Sequence, residues 1–321
     1  MSGTMRIKSN VMVQKSANKK KVPLVTVLKR HWQLYLMLVP VIISFILFHY
    51  WPLWGLQIAF KQFNPFKGID GSPWVGLKQF QSFFSSFYFG KIMGNTLFIS
   101  ITSIIFGFPF PVILALCLNE VRNNTYKRFA QTVSYLPFFV SVVVSVGMFK
   151  QMLALDTGII NDFIAMMGGE RIYFLREPSL FIFVYLGIII WRWSGYDAII
   201  YLATITSIDP TLYEAAHVDG AGRLRRLWHI TLPGIRNTFI ILLILRLGGI
   251  MNLQWQEILL LSNPINESAS EVIQTFVYKR GLIQADYSFA TAVGLFQSVI
   301  GFVFVLLANK ISKVVSEVSI F

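Results

Sequence analysis

The sequence has few of the residues that form covalent, metal or nucleotide sites. Its one cysteine, Cys117, has no partner within the chain for a disulfide bond. No segment matches the G-x-x-x-x-G-K-[ST] loop that holds nucleotide phosphates in many ATPases. Four histidines are present, and their spacing is not that of metal ligands; they are His31, His49, His217 and His229. We therefore expect no metal or cofactor bound by this chain and no enzymatic activity of its own.

Charged residues are also scarce, and this composition points to a membrane. Only 13% of the residues are charged, 55% are hydrophobic and the mean hydropathy is +0.61. Such a chain is too apolar for an ordinary soluble domain of this length. The net charge of +13 is not organised as a phosphate-binding stripe. It is explained by the basic bias of cytoplasmic loops and their attraction to anionic lipid, so no nucleic-acid partner is expected.

Six apolar segments are long enough to cross a bilayer, which takes about 20 helical residues. Four carry no charge: residues 32–60, 92–118, 129–149 and 287–309. Two more, residues 178–207 and 237–262, contain a central arginine, Arg192 and Arg246 respectively. Continuously apolar runs favour helices over alternating barrel strands. The prediction is an all-α polytopic membrane protein with about six transmembrane helices.

The basic residues predict how the chain lies in the membrane. Residues 1–31 are basic and contain no acidic residue, and the loops after the second and fourth spans are also basic. By the positive-inside rule, both termini and the loop at residues 208–234 face the cytoplasm. We expect a basic N-terminal segment (1–31), a membrane domain (32–309) and a cytoplasmic tail (310–321).

The loop at residues 208–234 has the local signals of a helix-turn-helix. Asp209 and Pro210 are typical of a helix start, and a glycine such as Gly220 is typical of a helix end. The first helix is expected over residues 211–219 and the second over residues 222–231. Pro233 and Gly234 are expected to break the second helix before the fifth span. Any cytoplasmic loop could form two short amphipathic helices, so the pattern alone leaves its role open.

The same loop resembles a family signature: E-A-A, three residues, G, nine residues and then I-x-L-P. Seven positions match, namely Glu214, Ala215, Ala216, Gly220, Ile230, Leu232 and Pro233. This order resembles that of the integral-membrane subunits of ATP-binding-cassette (ABC) importers. The resemblance implies the type I permease fold and a coupling helix that docks on a separate ATPase. It assigns that contact to these residues together with Asp219, with Glu214 facing a basic residue of the ATPase.

Other segments resemble the oligosaccharide and polysaccharide branch of these permeases, which is similar to the maltose-importer permeases and includes LplB-like members. They lie at residues 34–40, 49–52, 59–61, 71–77 and 287–296. Membership implies a bacterial inner-membrane location, a second permease, two ATPase copies that bind ATP and Mg²⁺, and an extracytoplasmic sugar-binding protein.

Charges inside membrane spans are costly and mark candidate sites for a transported substrate. The expected pathway residues combine arginine, aromatic and amide side chains: Arg192, Trp193, Tyr196, Arg246, Asn252, Trp255 and Gln256. Arg246 has no acidic residue three or four positions away, and arginine binds carboxylates in a bidentate manner. Positive charge within the spans therefore favours an anionic sugar, such as an alginate-like uronic-acid oligosaccharide, as the substrate. Two structural pairings stay open, Arg192 with Asp197 and Glu257 with Lys150.

Two other classes compete with the importer subunit. An autonomous secondary transporter often shows paired broken helices in symmetric halves, and we detect no such symmetry. A membrane-embedded enzyme, such as a lipid or glycan transferase, would need paired carboxylates or a metal cluster near one membrane face; Asp156 with Asp162 is the nearest candidate, and nothing in the sequence supports it.

Overall fold

The computed structural model describes residue 30 and residues 32–316, and it divides the chain into two compact units at Gly55. In the first unit, helix α1 spans Trp32–Phe45, contains Pro40 and continues as a π-helical turn. The expected basic segment lies outside the described residues apart from Arg30. A 3-10 helix, Trp51–Phe60, crosses the boundary between the units.

The second unit is built from helices. In chain order they are α2 Lys78–Phe84, α3 Phe89–Thr102, α4 Pro109–Glu120, α5 Asn124–Phe139, α6 Val142–Met152, α7 Ile159–Met166, α8 Phe181–Thr206, α9 Pro210–Val218, α10 Arg223–Arg226, α11 Leu232–Gly248, α12 Trp255–Leu261, α13 Glu267–Ser270, α14 Ile273–Tyr278 and α15 Tyr287–Ser316. Among the described residues no strand forms, and only two isolated bridges occur, in the loop before α2.

Five helices of the described chain are long and apolar enough to cross a membrane. They are Trp32–Phe60, Phe89–Glu120, Pro178–Thr206, Arg223–Gly248 and Tyr287–Lys313. The pair α5 and α6 makes a sixth span if the two are counted as one broken element. The prediction of an all-α protein with about six spans is confirmed.

The third apolar segment, expected at residues 129–149, is formed by two helices and not by one. Helices α5 and α6 meet at 102°, and Val140 and Ser141 between them are extended. Pro137 lies in the last turn of α5, and the hydroxyl of Ser141 accepts a hydrogen bond from the Val144 N–H at 3.3 Å. A proline followed by a serine N-cap thus ends one helix and begins another.

The fifth apolar segment, expected at residues 237–262, is also broken. Helix α11 ends at Gly248, and the chain turns before α12. The Ser100 hydroxyl donates to the carbonyl oxygen of Ile250, and the amides of Gln274 and Gln297 donate to that of Met251. Irregular backbone at membrane depth is tolerated when protein groups satisfy it, and these three side chains do so.

The loop before α11 differs from the prediction in one respect. Pro233 and Gly234 do not end the second helix of the loop, because this helix continues from Arg223 to Gly248. A π turn over Leu227–Thr231 precedes the proline, with the Leu232 N–H bonded to the Leu227 carbonyl. Pro233 therefore falls in the first turn of α11, where its missing N–H is tolerated.

Helix α8 lies at the centre of the second unit and packs against α4 and α5, while α11 packs against α15. Its fully buried side chains include Tyr185, Ile188 and Tyr201. At Gly195 the backbone of α8 approaches α5 so closely that a Cβ atom would overlap the carbonyl oxygen of Ser134. This glycine sets the distance between the two helices.

We predict that Gly195→Ala destabilises the protein by about 1–3 kcal/mol, because the added methyl group must separate α5 from α8. Gly187→Ala on the same helix is the matched control, since its Cβ would lie 3.7 Å from the Phe149 ring, an ordinary contact. Thermal denaturation of the purified, detergent-solubilised protein measures both. Equal melting temperatures for the two variants would contradict the close-packing argument.

Candidate functional site

The first arm of the 208–234 loop begins where the sequence predicted. The carboxylate of Asp209 accepts a hydrogen bond from the Thr211 N–H at 2.9 Å, and Pro210 is the first residue of α9. This bond holds the pKa of Asp209 below its usual value. The cap fixes the direction in which α9 leaves α8.

The end of α9 is a Schellman motif built on Gly220. The Gly220 N–H donates to the His217 carbonyl at 3.1 Å, and the Ala221 N–H donates to the Ala216 carbonyl at 2.8 Å. Gly220 has a φ of +73°, which favours glycine. The predicted turn at Gly220 is confirmed, and Ala216 contributes to it through its backbone carbonyl.

A hydrogen bond joins the two helices of the loop, and many of the side chains on both helices are exposed. The hydroxyls of Tyr213 and Thr231 are hydrogen-bonded at 3.0 Å. Of the eight residues expected to contact an ATPase, five are exposed, namely Glu214, Ala215, Asp219, Gly220 and Pro233, while Ala216, Ile230 and Leu232 are half-buried. Large apolar side chains are exposed beside them: Leu212, Val218, Leu224 and Trp228. The loop thus exposes apolar side chains together with the carboxylates of Glu214 and Asp219, and a hydrogen bond joins its two helices.

A buried ion pair lies among the membrane helices. Arg192 of α8 and Glu257 of α12 form a salt bridge whose side chains are 7% and 2% exposed. Arg192 also donates to the Val140 carbonyl at 3.2 Å, in the break between α5 and α6. The two alternative pairings that the sequence left open, Arg192 with Asp197 and Glu257 with Lys150, are wrong.

A second ion pair is much more accessible. Arg246 of α11 binds Asp197 of α8, with side chains 45% and 25% exposed. Asp197 lies on another helix, 49 residues from Arg246, so the spacing of charges along one helix did not predict this pair. Arg246 therefore has a carboxylate partner and remains open to a cavity.

Arg246 lines two adjoining cavities. The first, of about 90 Å³, is lined by α3, the turn between α3 and α4, α8, the end of α11 and the break that follows it. It carries polar side chains that could bind sugar hydroxyls: Ser100, Ser103, Ser194, Asn252 and Gln254. The second, of about 160 Å³, is lined by Asp197 and Tyr201 together with apolar side chains of α4, α8 and α11. Both are smaller than the range of about 300–1,000 Å³ typical of small-molecule sites, so each has room for part of a substrate, such as a carboxylate, and not for a whole oligosaccharide.

The expected pathway residues do not all meet at these cavities. Arg246 and Asn252 line the first one, whereas Arg192 lies in the buried pair. The rings of Trp193 and Tyr196 pack on Phe138. Trp255 packs on Tyr278, and Gln256 is exposed outside either lining. Gln254 lies between the predicted residues Asn252 and Gln256, but the three serines carried no signal, because serine is common in apolar helices.

A separate charged cluster holds the segment between α12 and α15. Lys279 lies 2.5 Å from Glu267 and 3.4 Å from Glu271. Partial burial alone lowers the pKa of Lys279, but the two carboxylates outweigh it and raise the pKa above its usual value. Asp162, a candidate for paired-carboxylate chemistry, instead pairs with Arg171 at 2.7 Å.

Comparison with known proteins defines the class. Residues 107–316 match the family described as "Binding-protein-dependent transport system inner membrane component". The chain belongs to this family, and the predicted importer permease with its type I fold is confirmed.

Individual relatives come from bacteria. The chain is 46% identical to the polygalacturonan/rhamnogalacturonan transport system permease protein YteP of Bacillus subtilis, over 90% of each chain. It is 44% identical to Protein LplB of the same organism, over 92% of each chain. A crystal structure of a bacterial ABC transporter involved in the import of the acidic polysaccharide alginate contains a chain that is 42% identical, with a TM-score of 0.84. That match covers 91% of this chain and 99% of the other.

We predict that Glu257→Leu lowers the free energy of unfolding by about 3–5 kcal/mol, because it leaves the Arg192 guanidinium buried without a counter-charge. The double variant Arg192→Met/Glu257→Leu should recover most of the loss. Asp162→Leu, which breaks the exposed pair with Arg171, should cost no more than about 1 kcal/mol. Denaturation of the purified protein measures all three. A double variant no more stable than Glu257→Leu alone would contradict this account.

Proposed function

We propose that this importer permease forms half of a translocation pathway for anionic oligosaccharides and works by alternating access. The observation that carries the proposal is Arg246, a partly accessible guanidinium where two cavities of the membrane domain adjoin. Arginine offers a planar fork that matches a carboxylate. The serine and amide side chains of the first cavity suit the hydroxyls of a sugar ring.

The relatives support the acidic character of the substrate. YteP is named for polygalacturonan and rhamnogalacturonan, and the similar crystal structures are of an alginate importer. One of these structures is a complex with an alginate pentasaccharide-bound periplasmic protein. Saccharides of this kind carry carboxylates, which agrees with the charge of Arg246.

The energy source in this proposal is a separate ATPase. The exposed face of the 208–234 loop docks on it, and Glu214 pairs there with a basic residue. Closure of the ATPase dimer on ATP and Mg²⁺ then rotates the helices attached to the loop. The complete importer contains a second permease, two ATPase copies and an extracytoplasmic sugar-binding protein, and both termini of this chain face the cytoplasm of a bacterial cell.

We expect the ATPase activity of the complete importer in proteoliposomes to rise with oligogalacturonate or oligoalginate more than with their methyl esters. The esters have the same length but lack the negative charge that Arg246 would bind. The measurement is the initial rate of phosphate release with saturating binding protein. Equal stimulation by acid and ester would remove the anionic substrate from the proposal while leaving the permease class intact.

We expect Glu214→Ala to reduce substrate-stimulated ATP hydrolysis by at least tenfold, because removal of one partner would leave the basic residue of the ATPase unpaired in the interface, which costs about 3–5 kcal/mol. Glu170→Ala, the same change at an exposed glutamate outside the loop, is the matched control and should hydrolyse at the normal rate. Assembly is measured by co-purification of the ATPase. Normal hydrolysis by Glu214→Ala would exclude its coupling role.

A further inference from the structure

The two cavities follow one another along the bundle. On α8 the lining of the first lies between Tyr185 and Ser194, and that of the second lies between Asp197 and Tyr201. Beyond α8 the order along the chain is reversed, since residues 242–245 line the second cavity and residues 249–254 the first. Phe108 and Arg246 line both. The two cavities therefore meet at Phe108 and Arg246.

The partner of Arg246 chemically resembles part of the proposed substrate. Asp197 presents a carboxylate, as a uronic acid does, and it lines only the second cavity. Asp197 and Arg246 are the only charged residues in the described lining of the two cavities. Exchange of one carboxylate for another keeps the guanidinium paired throughout, so it avoids leaving a charge uncompensated inside the membrane. A neutral sugar can accept hydrogen bonds from Arg246 but has no negative charge to replace that of Asp197.

Asp197 also has a second potential partner beside it. Tyr201 lies four residues further along α8, on the same helix face, and lines the same cavity. Tyr201 is 1% exposed, and its hydroxyl has no hydrogen-bond partner within the described part of the chain. A buried hydroxyl without a partner is unfavourable, and a carboxylate that leaves Arg246 would satisfy it.

We propose that the Arg246–Asp197 ion pair is a carboxylate-exchange gate: a saccharide carboxylate displaces Asp197 from Arg246, and Asp197 moves to the Tyr201 hydroxyl. This inference rests on the proposed transport of anionic saccharides. In the empty protein Asp197 competes for the cation and closes the junction between the cavities. The cargo opens the junction by replacing Asp197, which makes passage conditional on a carboxylate.

Two substitutions should move the apparent affinity in opposite directions. Asp197→Asn removes the competing carboxylate and should lower the KM for oligouronate by about fivefold or more, a typical size for such coupling. Tyr201→Phe removes the alternative partner of Asp197 and should raise the same KM. With the methyl ester as substrate, neither variant should change the KM.

The measurement is oligouronate-stimulated ATP hydrolysis by the complete importer in proteoliposomes, with rates normalised to assembled complex. Every variant uses the same binding protein, so the selectivity of that protein stays constant. Asp162→Asn, which disrupts another Asp–Arg pair in an exposed loop, is the matched control and should keep the wild-type KM. A role limited to stability would lower the yield of the complex without opposite shifts in KM.

The failure of the gate and the failure of the proposed function give different results. If the wild-type importer responds to oligouronate but the KM is the same in Asp197→Asn and Tyr201→Phe, the gate is wrong and the anionic substrate stands. If the wild-type importer responds equally to acid and ester, the proposed substrate is wrong and the gate falls with it.

Discussion

The membrane domain is constrained most by the cost of an unpaired buried charge, and the ion pair between Arg192 and Glu257 is its most deeply buried example. A charge inside a bilayer must be paired within the protein. Every free backbone N–H and C=O group there must also find a hydrogen-bond partner. Arg192 meets both requirements at once, because it binds Glu257 and the carbonyl of Val140. It thereby joins α8 and α12 to the break between α5 and α6. The side chains of Ser100, Gln274 and Gln297 likewise donate hydrogen bonds to free backbone carbonyls, and this permits the second break, after α11.

The two intramembrane ion pairs have the same chemistry and different environments. Arg192–Glu257 is almost fully buried and fixes helices to one another, whereas Arg246–Asp197 is partly open and borders two cavities. The helices that carry this second pair, α8 and α11, also lead into and out of the 208–234 loop. Movement of the loop by an ATPase would therefore act on both sides of the Arg246–Asp197 pair. The Tyr213–Thr231 hydrogen bond keeps the loop closed, so it can move as a unit.

Much of the fold could be predicted from the sequence, because its determinants are local. The length of the apolar segments predicts the membrane spans. Asp209 and Pro210 predict the start of the first helix in the loop, and Gly220 predicts its end. Features that depend on distant partners could not be predicted in the same way. Asp197 lies 49 residues from Arg246 and Glu257 lies 65 residues from Arg192, so no spacing rule pairs them. The continuous helix through Pro233 was missed because a π turn moves the hydrogen bonds that a proline would otherwise break.

In the proposed pathway, a carboxylate of the cargo binds at Arg246 on its way through the membrane. The most direct measurement is an electron cryomicroscopy structure of the complete importer, trapped with an oligouronate in the membrane domain. We predict a uronate carboxylate on the Arg246 guanidinium, with Asp197 turned toward Tyr201. Cargo bound elsewhere, with the Arg246–Asp197 pair intact beside it, would contradict the account.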